Sequence, residues 1–364
     1  MKIIIITTEA SGDFLGFHLI KELKKKNNKV EIQGVGGQLM ESTGFKSWVK
    51  ITEFNTIGVF EVIIRVFKFL KILNYIEKKI RSSKPSLVIT IDSPSFNYRL
   101  VKKIQDMRKE IDFFHYVAPT VWAWKKYRAK IFADLYDKLF TLFNFEPKYF
   151  TKYGLPTKFV GHQIFFDKKK KINKKKAISF LPGSRRIEIE RNLKLLKDVI
   201  KNTLIKYKDY NVYVLSFKPY EKLIKNTLKG SNFYVVTDYK EKQKLLEQSL
   251  VAVSASGSVT LELCKYNTPM IVVYDTHFIT KLIIKFFVKV KYASIINIFF
   301  KKEIVPEFIF EKFTFNNVMK SLDELIADQD IRIRQINYMK NFSKVMLNRS
   351  KNPSKIISDE ILKD

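Results

Sequence analysis

The chain has 364 residues, of which 46% are hydrophobic and 28% charged. At roughly 150 residues per domain this is room for two domains, and the balance excludes a wholly disordered or collagen-like chain. Lys and Arg number 67 against 36 Asp and Glu, a formal net charge of +31, which points to anionic partners: nucleic acid, an acidic membrane surface or phosphorylated substrates. The parallel abundance of Lys, Ile, Asn, Phe and Tyr fits compositional bias equally well, so the placement of charge carries more than its total. A single cysteine, Cys264, excludes an intramolecular disulfide framework and a zinc site built on several cysteines.

The opening apolar run is too short for a signal peptide and is followed at once by Glu9, so a reducing, cytoplasmic setting is expected. Apolar runs at 3–7, 30–35, 87–91, 113–117 and 138–143 predict strands. Helical spacing at 14–26, 60–79 and 96–109 predicts the helices between them. Strands that are apolar throughout and alternate with helices form a parallel sheet covered on both faces. The alternation repeats with strands at 177–181, 211–217, 233–236, 250–253 and 270–274. The tail, 331–364, has a helical pattern. The lysine-rich run 167–176 cannot sit in a core and reads as a solvated linker. The expected organisation is therefore residues 1–166, residues 177–340 and a tail at 341–364. The fold class is α/β, with two doubly wound domains aiming their strand-end loops at a shared cleft.

No stretch reaches the ~20 apolar residues of a transmembrane helix. Two come near. Residues 278–290 carry Lys281, Lys285 and Lys289 on one helical stripe, and 60–79 carries Arg65, Lys68 and Lys71 among apolar side chains. Each reads as an amphipathic helix with a cationic face, suited to an anionic bilayer interface or to packing on a core.

Five loops combine the right residue types with a strand-to-helix setting. Thr8-Glu9-Ala10-Ser11-Gly12-Asp13 follows the first strand; Gly12 permits close backbone approach, and Ser11 and Asp13 can cap a helix. Asp92, in Ile91-Asp92-Ser93-Pro94-Ser95-Phe96-Asn97, ends a buried strand, where a carboxylate is either a general base or a helix cap. His115-Tyr116-Val117 leads into Val121-Trp122-Ala123-Trp124, whose indoles can stack on a sugar or pack. Leu181-Pro182-Gly183-Ser184-Arg185 puts arginine at a helix start, where an anion relieves the conflict with the dipole. Ser254-Ala255-Ser256-Gly257-Ser258 precedes a helix carrying Glu262, a cradle of amides with a carboxylate one turn in. His18, His115, His162 and His277 show no metal-ligand spacing, and no metal or cofactor is expected.

These strings in this order, with Pro306-Glu307, resemble the lipid-A-disaccharide synthase family, the inverting glycosyltransferases of family 19, over nearly the whole chain. The resemblance implies a GT-B fold: two Rossmann-like domains and a C-terminal helix that crosses back to the first. It implies the condensation of UDP-2,3-diacylglucosamine with 2,3-diacylglucosamine 1-phosphate into a β-1,6-linked disaccharide 1-phosphate. It also implies peripheral attachment to the anionic cytoplasmic face of the inner membrane. Asp92 would be the base and Arg185 the stabiliser of the leaving UDP. Glu9, Ser11, Gly12, Asp13, Asn97, His115 and Trp122 would bind substrate in the first domain. Ser184, Ser256, Gly257, Ser258, Glu262, Asn297 and Glu307 would do so in the second, with Glu262 on the ribose.

The chain departs from the family pattern at Ser93 and Ser95, usually Ala and Asp, and at Gln163, often Pro. It departs also at Asp275, usually basic, and at Phe310, usually Gln. Asp328-Gln329-Asp330 spells a metal-binding string of other glycosyltransferases but lies in a polar helical segment. Alternatives are another GT-B nucleotide-sugar enzyme, such as an epimerase, and an inactive scaffold. A nucleic-acid binder would need a basic patch with exposed aromatics. The lysines are instead spread along the chain, so no nucleic-acid partner is expected.

Overall fold

A strand that is apolar at every position must be covered on both faces, and the arrangement of the chain follows from that. In the computed structural model, residues 1–54, 62–166, 173–276, 281, 291–347 and 351–363 are described, the side chains of 62–66 excepted. The chain divides into unit 1, Met1–Phe166 with Val345–Asp364, and unit 2, Asp167–Lys344.

Unit 1 holds seven strands: β1 (Lys2–Ile6), β2 (Glu31–Gly36), β3 (Lys46–Lys50), β4 (Leu87–Ile91), β5 (Asp112–Tyr116), β6 (Lys138–Thr141) and β7 (Thr157–Phe159). They lie in the order β3-β2-β1-β4-β5-β6-β7, every neighbour parallel. Ile3, Ile4, Ile5 and Ile6 of β1 and Val88, Ile89 and Ile91 of β4 are completely buried. Unit 2 repeats the plan with β8 (Lys175–Leu181), β9 (Asn211–Leu215), β10 (Tyr234–Val236), β11 (Ser249–Ala255), β12 (Met270–Tyr274) and β13 (Glu307–Ile309). Their order is β10-β9-β8-β11-β12-β13, again all parallel. Both sheets are doubly wound, as expected. Strand order reverses between β1 and β4 in one and between β8 and β11 in the other. Those reversals are where such sheets bind ligands, outside the carboxyl ends of the strands.

The differences from the sequence reading lie at edges. β3, β7 and β13 were not predicted; none of the three has a fully buried residue, so they lack the apolar run that marks the central strands. The single helix expected at 96–109 is a helix Pro94–Lys103 followed by a 3₁₀ turn Gln105–Lys109, because Ile104 leaves helical geometry at φ −117°. The linker run ends early: Lys175 and Lys176 begin β8 with exposed side chains, and 167–172 lies outside the described residues. The same holds for 278–290 apart from Lys281.

The tail completes unit 1. Asn352 Oδ1 caps the helix Pro353–Ile361 by accepting from Lys355 N at 3.2 Å, with Pro353 at its first turn. That helix packs on the helix Ala10–Lys26. Ser354 Oγ donates to Gln163 Oε1 at 2.9 Å, Lys26 pairs with Asp359, and Glu360 accepts from Lys138 at 2.8 Å and from Lys158. Those two ammonium groups hold the Glu360 carboxyl at about 2, against an ordinary value of 4.5. The depressed value means that the bridge stabilises the fold fully above pH 4.5 and is lost as pH falls towards 2. Glu360→Gln is expected to lower stability at pH 7 by about 1 kcal/mol or less, and the deficit should vanish at about pH 2, as read by urea unfolding.

Candidate active site

In unit 1 the reversal is built on a contact that only glycine allows. Gly12 lies in the first turn of the helix Ala10–Lys26. A Cβ there would stand 1.9 Å from Thr7 Oγ1 and 3.2 Å from the Ile91 carbonyl oxygen. The loop after β1 therefore rests directly on the end of β4, and Ser11 Oγ donates to Asp92 Oδ2 at 2.7 Å. Asp92 and Ser93 both take left-handed backbone, at φ 55° and 47°, which costs about 1 kcal/mol or more for each residue. Three bonds offset that cost. Asp92 N donates to Tyr116 O at 2.9 Å, Ser93 N to Asp92 Oδ1 at 2.8 Å, and Asn97 Nδ2 to Asp92 O at 2.7 Å. Thr8 Oγ1 donates to Ser93 Oγ at 2.7 Å, and Ser93 Oγ in turn to Glu9 Oε1 at 3.3 Å. Serine at 93, one of the departures, thus links the Glu9 and Asp92 sides of the turn.

The other unit 1 residues singled out from the sequence are placed differently. Asp13 is buried, and its carboxylate accepts from Gly37 N at 2.8 Å, Leu39 N at 3.1 Å and Met40 N at 3.1 Å, capping the short helix Gln38–Glu41. His115 is fully buried, with Nδ1 2.6 Å from Thr90 Oγ1 and its ring against Phe132 and Tyr136. Burial pushes its basicity down to about 3, so the ring is neutral. Trp122 is half-buried: its Nε1 donates to Glu146 Oε1 at 3.2 Å, and its ring meets Phe145 edge-on.

In unit 2 the loop after β8 is tied by Glu188. Its Oε2 accepts from Ser184 N at 3.2 Å and Arg185 N at 3.3 Å, and its Oε1 lies 3.3 Å from Arg185 Nη1. The Arg185 side chain remains 72% exposed. Ser256 N donates to Val273 O at 3.1 Å and its hydroxyl to Ala293 O at 3.2 Å. Gly257 and Ser258 stand exposed at the start of the helix Val259–Tyr266. Burial pushes the Glu262 carboxyl up, and the positive charges of Lys242 and Lys265 oppose the rise. Glu307 and Asn297 are bonded to each other at 2.8 Å. Glu307 also accepts from Ala293 N and Ser294 N, and Asn297 Oδ1 from Ile304 N and Val305 N. Asp275 lies 3.7 Å from Arg191 and 3.2 Å from Lys281, whose ammonium sits 5.3 Å over the Phe310 ring. Among the described residues no group of three or more His, Cys, Asp or Glu could hold a metal.

Sequence reasoning missed Glu146 and Glu188. Glu188 stands three residues after the helix-capping position, a capping-box spacing hidden because that position is arginine. Glu146 gives no signal in the sequence, since its burial and its bond from Trp122 Nε1 are set by tertiary packing. Burial pushes its carboxyl up to about 7, against the opposing bonds from Phe143 N and Trp122 Nε1. An acid with a raised value favours folding fully below its ordinary 4.5, and the benefit is lost as pH rises through about 7. Relative to Glu146→Gln, wild type should therefore lose stability across that window, in urea midpoints of the two proteins measured side by side from about pH 4.5 to 8; the neutral buried His115 contributes equally to both and cancels in the difference.

The comparisons accord with this architecture. Residues 3–361 match the family model described as lipid-A-disaccharide synthetase. Lipid-A-disaccharide synthase of Rickettsia prowazekii strain Madrid E is 37% identical over 379 aligned positions, covering 99% of this chain and all of that one. The synthase of Rickettsia bellii strain OSU 85-389 is 37% identical over 352 positions, covering 92% and 91%. Among solved structures, UDP-GlcNAc 2-epimerase from Neisseria meningitidis bound to UDP-GlcNAc aligns at a TM-score of 0.69 with 14% identity over the whole of both chains. The S. aureus MnaA–UDP structure aligns at 0.67 with 14% identity, covering 99% and 94%. These two likenesses concern the fold alone. With two parallel doubly wound sheets and a family match over almost its whole length, the chain belongs to the lipid-A-disaccharide synthetase family of GT-B, nucleotide-sugar-using glycosyltransferases.

Proposed function

We propose that the chain condenses UDP-2,3-diacylglucosamine with 2,3-diacylglucosamine 1-phosphate, giving the β-1,6-linked disaccharide 1-phosphate and UDP with inversion. The observation that carries the reading is Asp92, a carboxylate on a doubly left-handed turn at the sheet reversal, oriented by Ser11. Asp92 takes the proton of the acceptor 6-hydroxyl as that oxygen forms its bond to the donor anomeric carbon. The bond from that carbon to the diphosphate oxygen breaks, and the electron pair leaves with UDP. Arg185, exposed at its helix start, and the loop Ser256–Ser258 meet the charge that develops on the diphosphate. Ser184 keeps the Arg185 loop closed through Glu188, and Glu262 takes the ribose hydroxyls. Glu9, Ser11 and Gly12 form the acceptor side and Trp122 borders it. Asp13, Asn297 and Glu307 serve binding by holding these loops, since their polar atoms are engaged within the fold; Asn97 and His115 hold theirs through Nδ2 and Nδ1, while Asn97 Oδ1 and His115 Nε2 are buried without a partner among the described residues.

We propose further that the enzyme works as a peripheral protein on the anionic cytoplasmic face of the inner membrane. Among the described residues no helix is long and apolar enough to cross a bilayer. The helix Val62–Ser83 supports a surface mode. Phe67 is 63% exposed, and Leu70 and Tyr75 are each 44% exposed, next to exposed Lys71 and Lys78. Burying such side chains among acyl chains gains about 1.5–3 kcal/mol for each one fully buried.

Disaccharide formation from the two acylated sugars in detergent micelles tests the first proposal. Asp92→Asn should cut the rate by about 10²–10⁴-fold with the unfolding midpoint retained. Absence of product from wild type, or epimerised UDP-sugar in its place, would overturn the assignment. For the second, the paired substitution Phe67→Ser and Leu70→Ser should weaken sedimentation with phosphatidylglycerol vesicles about tenfold or more; undiminished binding would refute this surface.

A further inference from the structure

Beside the Asp92 turn lies a group of cations that the reaction above does not use. Ser95, three residues on, accepts at Oγ from Arg128 Nη2 at 3.1 Å, and its carbonyl accepts from Arg99 Nη1. Lys125, held in left-handed backbone at φ 50°, keeps its ammonium 4.2 Å from the centre of the Trp124 ring, and Arg128 approaches the same ring at 5.7 Å. Elsewhere in unit 1, arginines find carboxylates: Arg81 bonds Asp106 at 2.7 Å and Arg108 bonds Asp137 at 2.6 Å. Arg99, Lys125 and Arg128 have no carboxylate within 4.0 Å among the described residues. Arg128 also opens a helix whose first turn holds no acidic residue, so the helix dipole adds to the positive field. Arg99 and Arg128 thus share Ser95, and Arg128 and Lys125 share the Trp124 ring, while Arg99 lies 4.7 Å over the Tyr98 ring; a dianion bound among these side chains would offset the mutual repulsion of the cations.

We propose that Arg128, Lys125 and Arg99 form a phosphate-monoester subsite, with Ser95 orienting the Arg128 guanidinium and Trp124 seating Lys125. It binds the 1-phosphate of the acceptor sugar, and so rests on the reading that unit 1 takes the acceptor at Asp92. The chemistry of that acceptor fits: its 6-hydroxyl and its anomeric phosphate lie on either side of the ring oxygen, one sugar apart. Three residues of chain span at most about 11 Å, so a sugar with its 6-hydroxyl at Asp92 has its phosphate within reach of the Ser95 cluster. The subsite would make the enzyme select a phosphorylated acceptor over the same sugar bearing a free anomeric hydroxyl.

The test is a titration of the full chain, followed by tryptophan fluorescence, with glucosamine 1-phosphate and with glucosamine. Wild type should bind the phosphate at least tenfold more tightly. Arg128→Gln and Lys125→Gln should each erase most of that preference, Arg128→Lys should restore part of it, and UDP affinity should stay constant, which also reports an intact fold. Equal binding of the two probes by wild type, or unchanged preference in both Gln variants, overturns the subsite. So does an equal loss of binding to phosphatidylglycerol vesicles, which would make the cluster a headgroup surface instead. The readout needs no turnover. Discrimination without disaccharide formation would sink the synthase reading and leave the subsite standing; disaccharide formation without discrimination would do the reverse.

Discussion

A side chain on residue 12 would collide with Thr7 Oγ1, and the backbone of Ile91 lies just behind it. Because that space is empty, the first helix can begin against the end of β4. The consequences run outward from this contact. Ser11 is brought to Asp92. Asp92 and Ser93 are bent into the left-handed region, and the next helix starts at once at Pro94. The strain in that turn is contained because each displaced polar group has a partner: Tyr116 O, Asp92 Oδ1 and the Asn97 amide. A carboxylate held this way has little freedom to turn away from whatever occupies the turn.

Unit 2 solves a related problem by other means. Its two loops at the sheet reversal have no glycine-on-carbonyl contact of this kind. One is tied by Glu188 to the amides of Ser184 and Arg185. The other runs into a helix whose Glu262 lies in the field of Lys242 and Lys265. The first unit thus fixes a carboxylate through backbone geometry. The second sets an exposed arginine at one helix start and leaves Gly257 and Ser258 exposed at another, a form suited to an anionic ligand.

The central strands of both sheets were legible because apolar runs of five to seven residues have no other use in a chain of this size. β3, β7 and β13 were not, since an edge strand borrows its identity from its neighbour. The loops were legible as strings, yet local spacing could not distinguish a residue that faces a ligand from one that holds the loop. Asp13 and His115 look equally available in the sequence. One carboxylate is satisfied by three backbone amides and the other ring is sealed against Phe132 and Tyr136. Such partners come from 24 to 27 residues away or from across a sheet, beyond the reach of any periodicity. Glu146 is the same lesson inverted: an unremarkable acid in the sequence becomes the most strongly perturbed carboxyl near the Trp122 loop through burial alone.

The tail has a bearing on the order in which the protein is made. Val345–Asp364 belongs to unit 1, although the ribosome delivers it after all of unit 2. Domains generally fold as they emerge, the amino-terminal one first. Unit 1 must therefore wait, with the flank of the helix Ala10–Lys26 uncovered and Lys138 and Lys158 lacking Glu360, while a second domain is synthesised and folded. A premature stop shortly after Lys344 would leave unit 2 whole and strip the unit that carries Asp92. Chain completion thus acts as a checkpoint on unit 1: a nascent or truncated chain can hold one complete sheet with its helices but lacks the packing that finishes the other.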